Sequence, residues 1–346
     1  MDDRGVGRLK IAQILPEFEE GGVERYVLWL SNALAEMGHE ATVITAGGKL
    51  EENLDPNVAV VRLPVHKKNP LTALYCAISI ASRAKREGWD ILHAHSRVPV
   101  WIAFWASFIS RKPWVFTAHD RYRRNWAIKP FRRAAGAICV SKAVMTHLEG
   151  FLPERSIVIR NGIPFSGKMW NGNNQNFHPV RFVFVGRLTR RKGLHIVLEA
   201  LSSLKMEEWV LDVLGDGSQR KELEELCDLF GISERVTFHG FIDDPEEWIS
   251  NSSCLIFPSL DEGLGLTLMQ GLKAGVPVLA SNIAPVRELM ESENDLVAPG
   301  VVPEWEIALK RMVRENWLPS VNGQATIPSV KDMAEKVLIS YKNVLS

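Results

Sequence analysis

The chain has 346 residues, which at roughly 100 to 200 residues per domain predicts two domains rather than one large core. Hydrophobic residues make up 46% and charged residues 24%, which excludes disordered and fibrous classes. The formal net charge is zero, yet residues 1–168 carry 24 Lys and Arg against 16 Asp and Glu, while residues 169–346 carry 17 against 25. Opposite signs on the two halves predict that the first lobe faces an anionic partner or surface.

The longest apolar stretch, Val98–Ser110, is 13 residues long, short of the roughly 20 needed to cross a bilayer. The opening MDDRGVGRLK has no apolar h-region and predicts no secretory signal. The expected location is therefore the cytoplasm. Cys76, Cys139, Cys227 and Cys254 form no C-x-x-C pair and read as buried thiols in a reducing compartment.

Along the chain, short β-branched runs alternate with helical patterns. Strands are expected at Leu9–Leu15, 41–45, 58–63, 91–94, 114–117, 137–140 and 157–160, then at 181–185, 209–214, 235–238, 254–258, 276–280 and 295–297. Such alternation predicts parallel sheets wrapped by helices, here as two doubly wound α/β domains in tandem, residues 1–165 and 181–328. The Gly- and Asn-rich residues 166–180 read as a linker. Residues 329–346 read as a helix whose apolar face of Met333, Val337, Ile339, Tyr341 and Val344 packs back on the first domain. Open sheets bind ligands beyond the carboxyl ends of their strands, so the motifs should follow strands and the two domains should face a cleft.

After the first strand, the pair Gly21-Gly22 opens a helix whose amides can approach an anion; a plain tight turn is the alternative. Gly186 and Arg187 end a strand, and Lys192 with Gly193 precedes a helix, so two cations could converge on a diphosphate. After the strand ending at Pro258, Glu262, Gly263 and Gly265 make a turn into a helix over 266–274. Its first amides, at Gly265, Leu266 and Thr267, suit a phosphate, and Glu262 suits neutral hydroxyls. Gly215-Asp-Gly217 lacks the third glycine of a dinucleotide fingerprint, which argues against a Rossmann oxidoreductase. The densest basic run comprises Arg121, Arg123, Arg124, Lys129, Arg132 and Arg133, interleaved with Tyr122, Trp126 and Phe131. It suits an acceptor or an anionic membrane surface, with a solvated helix face as the alternative. Trp101, Phe104, Trp105 and Phe108 are expected to form a buried helix face, with an exposed aromatic stripe that dips into a membrane as the alternative; Ser141 and Asn161 are expected to cap the segments that follow them, with a place on the cleft wall as the alternative. His195 reads as structural. Nothing points to nucleic acid.

Taken together, VGRLTRRKG, VLGDG, VTFHGFI and PSLDEGLGLTLMQGLKAGVPVLAS, preceded by GGVER, DILHAHS, TAHD, ICVSKAV and VIRNGIP, resemble the GT-B glycosyltransferases, specifically retaining glycosyltransferase family 4. The resemblance spans Leu9 to about Pro299 and implies two Rossmann-like domains facing a cleft. It further implies sugar transfer from a nucleotide-diphosphate sugar, UDP or GDP being the expected nucleotide, to a saccharide or lipid-linked acceptor in cell-surface polysaccharide or glycolipid assembly. No cofactor and no metal ion are expected, since cations would receive the diphosphate. The inner face of the plasma membrane is the alternative place of action. By this similarity Arg187 and Lys192 hold the pyrophosphate, Glu262 binds donor-sugar hydroxyls, Gly22 lies against phosphates or acceptor, and His119 sits near the transferred sugar. Gln270 falls where the family's E-x7-E pattern has its second carboxylate, and Asp295 where it usually has glycine. Two alternatives stay open: a sugar-nucleotide 2-epimerase, and an inactive partner subunit that binds nucleotide sugar, the latter motivated by Gln270.

Overall fold

The computed structural model describes residues 7–170, 179–290, 292–321 and 327–346 and divides into two compact units, one comprising residues 1–164 with 328–346 and the other residues 165–327. In the first unit, strands β1 (Lys10–Ile14), β2 (Glu40–Thr45), β3 (Ala59–Arg62), β4 (Ile91–His95), β5 (Trp114–Ala118), β6 (Gly136–Cys139) and β7 (Ser156–Val158) form one sheet in the order β3-β2-β1-β4-β5-β6-β7. Every pairing is parallel. In the second, β8 (Val180–Val185), β9 (Trp209–Leu214), β10 (Val236–Gly240), β11 (Cys254–Phe257), β12 (Val278–Ser281) and β13 (Leu296–Val297) pair in the order β10-β9-β8-β11-β12-β13. Both orders reverse direction beside the first strand of the unit, between β1 and β4 and between β8 and β11. That reversal opens a crevice at the carboxyl ends of those strands. The thirteen strands among the described residues lie where the alternation of residue types places them.

The helices are α1 (Gly22–Glu36), α2 (Pro70–Glu87), α3 (Arg97–Ser110), α4 (Lys142–His147), α5 (Leu194–Ser202), α6 (Arg220–Phe230), α7 (Glu246–Ser250), α8 (Leu266–Ala274), α9 (Ala284–Arg287), α10 (Val302–Glu315) and α11 (Val330–Leu345). Helix α2 shows the local rules plainly. Asn69 Oδ1 accepts from the Leu71 and Thr72 amides, Pro70 occupies the first turn, and Gly88 closes the helix at φ 74°, a left-handed conformation that glycine adopts without strain.

Helix α11 begins with a reciprocal cap between Ser329 and Asp332 and packs into the core of the first unit through Met333, Ala334, Val337, Leu338 and Tyr341. Ile339 does not share that face and is 55% exposed, because two residues turn a helix by roughly 200°. The aromatic residues of α3 likewise depart from expectation. Its buried face is Pro99, Val100, Ile102, Ala103 and Ala106, which leaves Trp105 and Phe108 outward.

The expected linker is partly docked. The Ser166 amide donates to Glu246 Oε2 at 3.0 Å, and the Trp170 indole donates to the Ser252 carbonyl at 3.0 Å, so residues 165–170 belong to the second unit. Residues 171–178 of that stretch lie outside the described residues. Asp295, 2% exposed, accepts from the Ser320 amide at 3.0 Å and ties the segment after α10 to the sheet edge. That contact accounts for a carboxylate at this position.

Candidate functional site

In the second unit the crevice at the ends of β8 and β11 is built by a few close backbone approaches. Gly193 sits at φ 71°, and a Cβ there would lie 2.0 Å from the Pro258 carbonyl oxygen. Only glycine therefore lets the turn Arg190–Lys192 press against the end of β11. The contact is stitched by the Leu260 amide donating to the Arg191 carbonyl at 2.8 Å and by Arg191 Nε donating to the Asp261 carbonyl at 2.7 Å. Lys192 is thereby aimed at Glu262, and its ammonium donates to Glu262 Oε1. Ser259 Oγ donates to the same oxygen at 2.8 Å.

Glu262 is 8% exposed. A carboxylate taken that far from water needs such partners, since burying it alone would cost several kcal/mol. Two donors converge on Oε1. Each carboxylate oxygen has two acceptor positions, so the group retains capacity for a ligand hydroxyl. Sequence reasoning placed Lys192 and Glu262 in one site but missed their direct pairing, which joins loops 70 residues apart.

Gly265 precedes α8 at φ 99°, where a Cβ would meet the Phe257 ring at 2.9 Å. The first amides of α8, at Leu266 and Thr267, have no intrahelical acceptor and no capping side chain. Gly263 is buried in the turn, and Gln270 lies half-buried one turn into the helix. Arg187 is exposed, and among the described residues it has no ion-pair partner. The Lys192 stem runs beside Gly186, where a Cβ would stand 3.9 Å from its Cδ. The glycines after β9 serve backbone packing: Cβ atoms at Gly215 and Gly217 would strike the carbonyls of Gly186 and Leu188 at 2.0 and 2.3 Å. His195 belongs to α5, and its Nδ1 is buried without a partner.

In the first unit the ends of β1, β4 and β5 carry a buried polar chain. His119 Nε2 lies 3.0 Å from His95 Nδ1, and His95 Nε2 lies 2.7 Å from Gln13 Oε1. Gln13 Nε2 donates to Tyr341 Oη at 3.3 Å, Tyr341 Oη lies 2.6 Å from His93 Nδ1, and His93 Nε2 lies 2.8 Å from Thr117 Oγ1. An amide oxygen only accepts, so His95 Nε2 carries a proton. His95 Nδ1 must then accept from His119 Nε2–H, and Tyr341 donates to His93. Every donor points the same way, from His119 to Thr117, with all three rings neutral. His119 Nδ1 keeps its lone pair.

Burial holds His93 and His95 well below the usual imidazole range, reinforced by their neighbouring rings, and brings His119 down to about 3. Burial also pushes the Tyr26 hydroxyl, 3.5 Å from Thr117 Oγ1, up to about 12. Sequence reasoning singled out His119 alone and did not link it to His95, Gln13, Tyr341, His93 or Thr117. The available signal was a polar residue on each of three neighbouring strands of a parallel sheet, where both faces are normally apolar. Beside this chain, Ser96 takes φ 77°, a conformation uncommon for serine that costs of order 1 kcal/mol or more. Gly22 is exposed at the start of α1 and Gly21 is buried before it.

The basic run is not one helical face. Only Trp126–Arg133 is helical, as a 3-10 segment. Arg123, Arg124, Lys129, Arg132 and Arg133 are exposed and Arg121 is half-buried; Ile128, Pro130 and Phe131 are buried beneath them. The proline and the tight 3-10 pitch account for the difference. Ser141 caps α4 by accepting from the Val144 amide at 3.2 Å. Asn161 caps no helix: it is buried, and its Oδ1 has no partner. All four cysteines are buried and free. Among the described residues, no cluster of three or more His, Cys, Asp or Glu could hold a metal ion, and no helix is long and apolar enough to cross a membrane.

A family model described as Glycosyl transferases group 1 matches residues 171–316, and one described as Glycosyltransferase Family 4 matches residues 20–166. The lipopolysaccharide core biosynthesis glycosyltransferase LpsE of Rhizobium meliloti is 24% identical over 87% of this chain and 88% of that protein. The phosphatidyl-myo-inositol mannosyltransferase of Propionibacterium freudenreichii is 26% identical over 80% of this chain and 77% of that protein. Among solved structures, HepE of Anabaena in complex with UDP and glucose superposes with a TM-score of 0.82 over 97% of this chain and all of that one, at 20% identity.

Proposed function

The chain belongs to the group 1 glycosyltransferases of the GT-B fold, and on that footing we propose that it is a retaining enzyme using a nucleotide-diphosphate sugar. It passes the sugar to a saccharide or lipid-linked acceptor in the assembly of a cell-surface polysaccharide or glycolipid. The relatives named for lipopolysaccharide core and phosphatidyl-myo-inositol support that acceptor class, and the UDP in HepE supports a nucleotide donor.

The observation that carries the reading is the convergence of Lys192, Glu262 and the open amides of α8 at the reversal point of the second sheet. A diphosphate here meets an ammonium, the Arg187 guanidinium and a helix N-terminus, three sources of positive potential fixed before the reaction begins. We assign leaving-group stabilisation to these groups and require no metal ion. Glu262 accepts from donor-sugar hydroxyls, and Gln270 accepts from the nucleoside through its amide oxygen. His119, in the first unit, offers its Nδ1 lone pair to a sugar hydroxyl. In the transfer step the acceptor oxygen forms a bond to the anomeric carbon on the face from which the diphosphate departs. The carbon–oxygen bond to phosphate breaks, and the acceptor proton passes to the leaving phosphate oxygen.

Steady-state kinetics of Lys192→Ala test the assignment. The diphosphate gains charge as it leaves, so kcat should fall about 100-fold or more, with a smaller rise in the donor KM. Unchanged turnover would remove Lys192 from the mechanism.

A further inference from the structure

Helices α2 and α3 lie side by side in the first unit, and the loop before α2 and the 3-10 segment at Trp126 close a cavity of about 730 Å³ against them. Its walls are apolar: Leu74 and Ala73 from α2, Trp101 and Trp105 from α3, and Trp126. Lys67, Lys68 and Arg97 also line it, and the two lysines are exposed at its margin. The volume falls in the range of small-molecule sites. Beyond it the apolar surface continues as a helical stripe of Leu71, Leu74, Tyr75 and Ile78 on α2, with Phe108 on α3, all exposed. Soluble proteins rarely leave such a contiguous patch uncovered without a use for it.

Charge and hydrogen-bonding capacity narrow the occupant. Neither residues 56–86 nor residues 91–119 contain an aspartate or glutamate, so α2, α3 and the loop before α2 present cations with no internal carboxylate between Pro70 and Arg86 or between Arg97 and Ser110. The Trp101 indole N–H is already given to the Ala127 carbonyl at 2.9 Å, and Asn69 Oδ1 is spent capping α2. A saccharide is held best by carboxylate and amide oxygens that accept from its hydroxyls, and the lining side chains include no carboxylate. A hydrocarbon chain that ends in a phosphate needs an apolar trough with cations at one end, which is what the wall offers.

We propose that this cavity binds the lipid end of the acceptor, an individual lipid whose chain lies among Trp101, Trp105 and Trp126 and whose phosphate or diphosphate meets Lys67, Lys68 and Arg97. The site deepens the transferase reading and rests on it for the word acceptor, but its occupancy is measurable without transfer.

The test uses the full chain and dispersed farnesyl diphosphate, followed by tryptophan fluorescence and calorimetry. Saturable binding is expected, weakened about tenfold by Trp105→Ala with Trp126→Ala through loss of two aromatic walls, and severalfold by Lys67→Gln with Lys68→Gln. Inorganic diphosphate should compete only weakly. Both double variants should keep a cooperative thermal transition close to that of the wild type, which shows that they fold. Three results overturn the site: no saturable binding, affinity equal to that of inorganic diphosphate, or association only with phosphatidylglycerol vesicles and not with the dispersed lipid. Displacement of the bound lipid by a neutral oligosaccharide, lost in the Trp105→Ala with Trp126→Ala variant, overturns it as well. Failure of the transferase reading has a separate signature, in which lipid binds as expected but no nucleotide sugar is consumed.

Discussion

At Lys192, charge and backbone geometry meet in one residue. The ammonium reaches Glu262 only because the next residue is glycine in a left-handed conformation, packed on the Pro258 carbonyl. Gly193→Ala adds a methyl group 2.0 Å from a backbone oxygen that has no rotamer to escape through. It should destabilise the protein by at least about 2 kcal/mol, combining left-handed strain with the displaced turn, and should weaken UDP binding with it. Chemical denaturation and calorimetry measure the two effects. A variant with wild-type stability would show that the turn is not held as described.

Elements decide what single residues cannot. Helix α11 closes the core of the first unit, and its Tyr341 is the central link of the polar chain, accepting a hydrogen bond from Gln13 and donating one to His93. Tyr341→Phe leaves a buried amide N–H and a buried imidazole lone pair unmatched, for an expected loss of about 1–3 kcal/mol in thermal or urea unfolding. Ile339→Ser on the outward face of the same helix should change stability by no more than about 0.5 kcal/mol. Equal effects of the two would contradict the assigned face. Helix α3 shows why hydrophobicity alone misplaces a surface. Its aromatic residues look like a core stripe, yet the sheet-facing positions are taken by small and branched residues that let the helix approach closely.

For the whole molecule, the charge asymmetry follows the structural division. The first unit, with α11 included, holds 26 Lys and Arg against 18 Asp and Glu, and the second holds 15 against 23. Stability should depend on pH through the buried histidines. Their folded pKa values lie below the unfolded value of about 6.5, so the unfolded chain binds more protons below that pH. The stabilisation is complete above about pH 6.5 and is lost as pH falls toward the His119 value of about 3. At pH 5, about 1.5 pH units below the unfolded value, His119 by itself accounts for a loss of at most about 2 kcal/mol, with His93 and His95 adding to it. Urea unfolding between pH 7 and 5 should show the first unit weakening, and His95→Gln should flatten the slope. A pH-independent midpoint would mean that the rings are not held neutral.

The residue sequence by itself determined both sheets, the boundaries of α8, the glycine turns and the placing of cations and a carboxylate after the strands of one sheet. Each of these is written in short-range periodicity, or in residue types that only a strand end or a turn requires. Tertiary structure alone decided the Lys192–Glu262 contact, the one-way chain from His119 through Tyr341, and which side of α2 and α3 stays uncovered. The first two join positions 24 to 328 residues apart, and local pattern carries no information about which distant group will fill the remaining hydrogen bond or leave a helix face open.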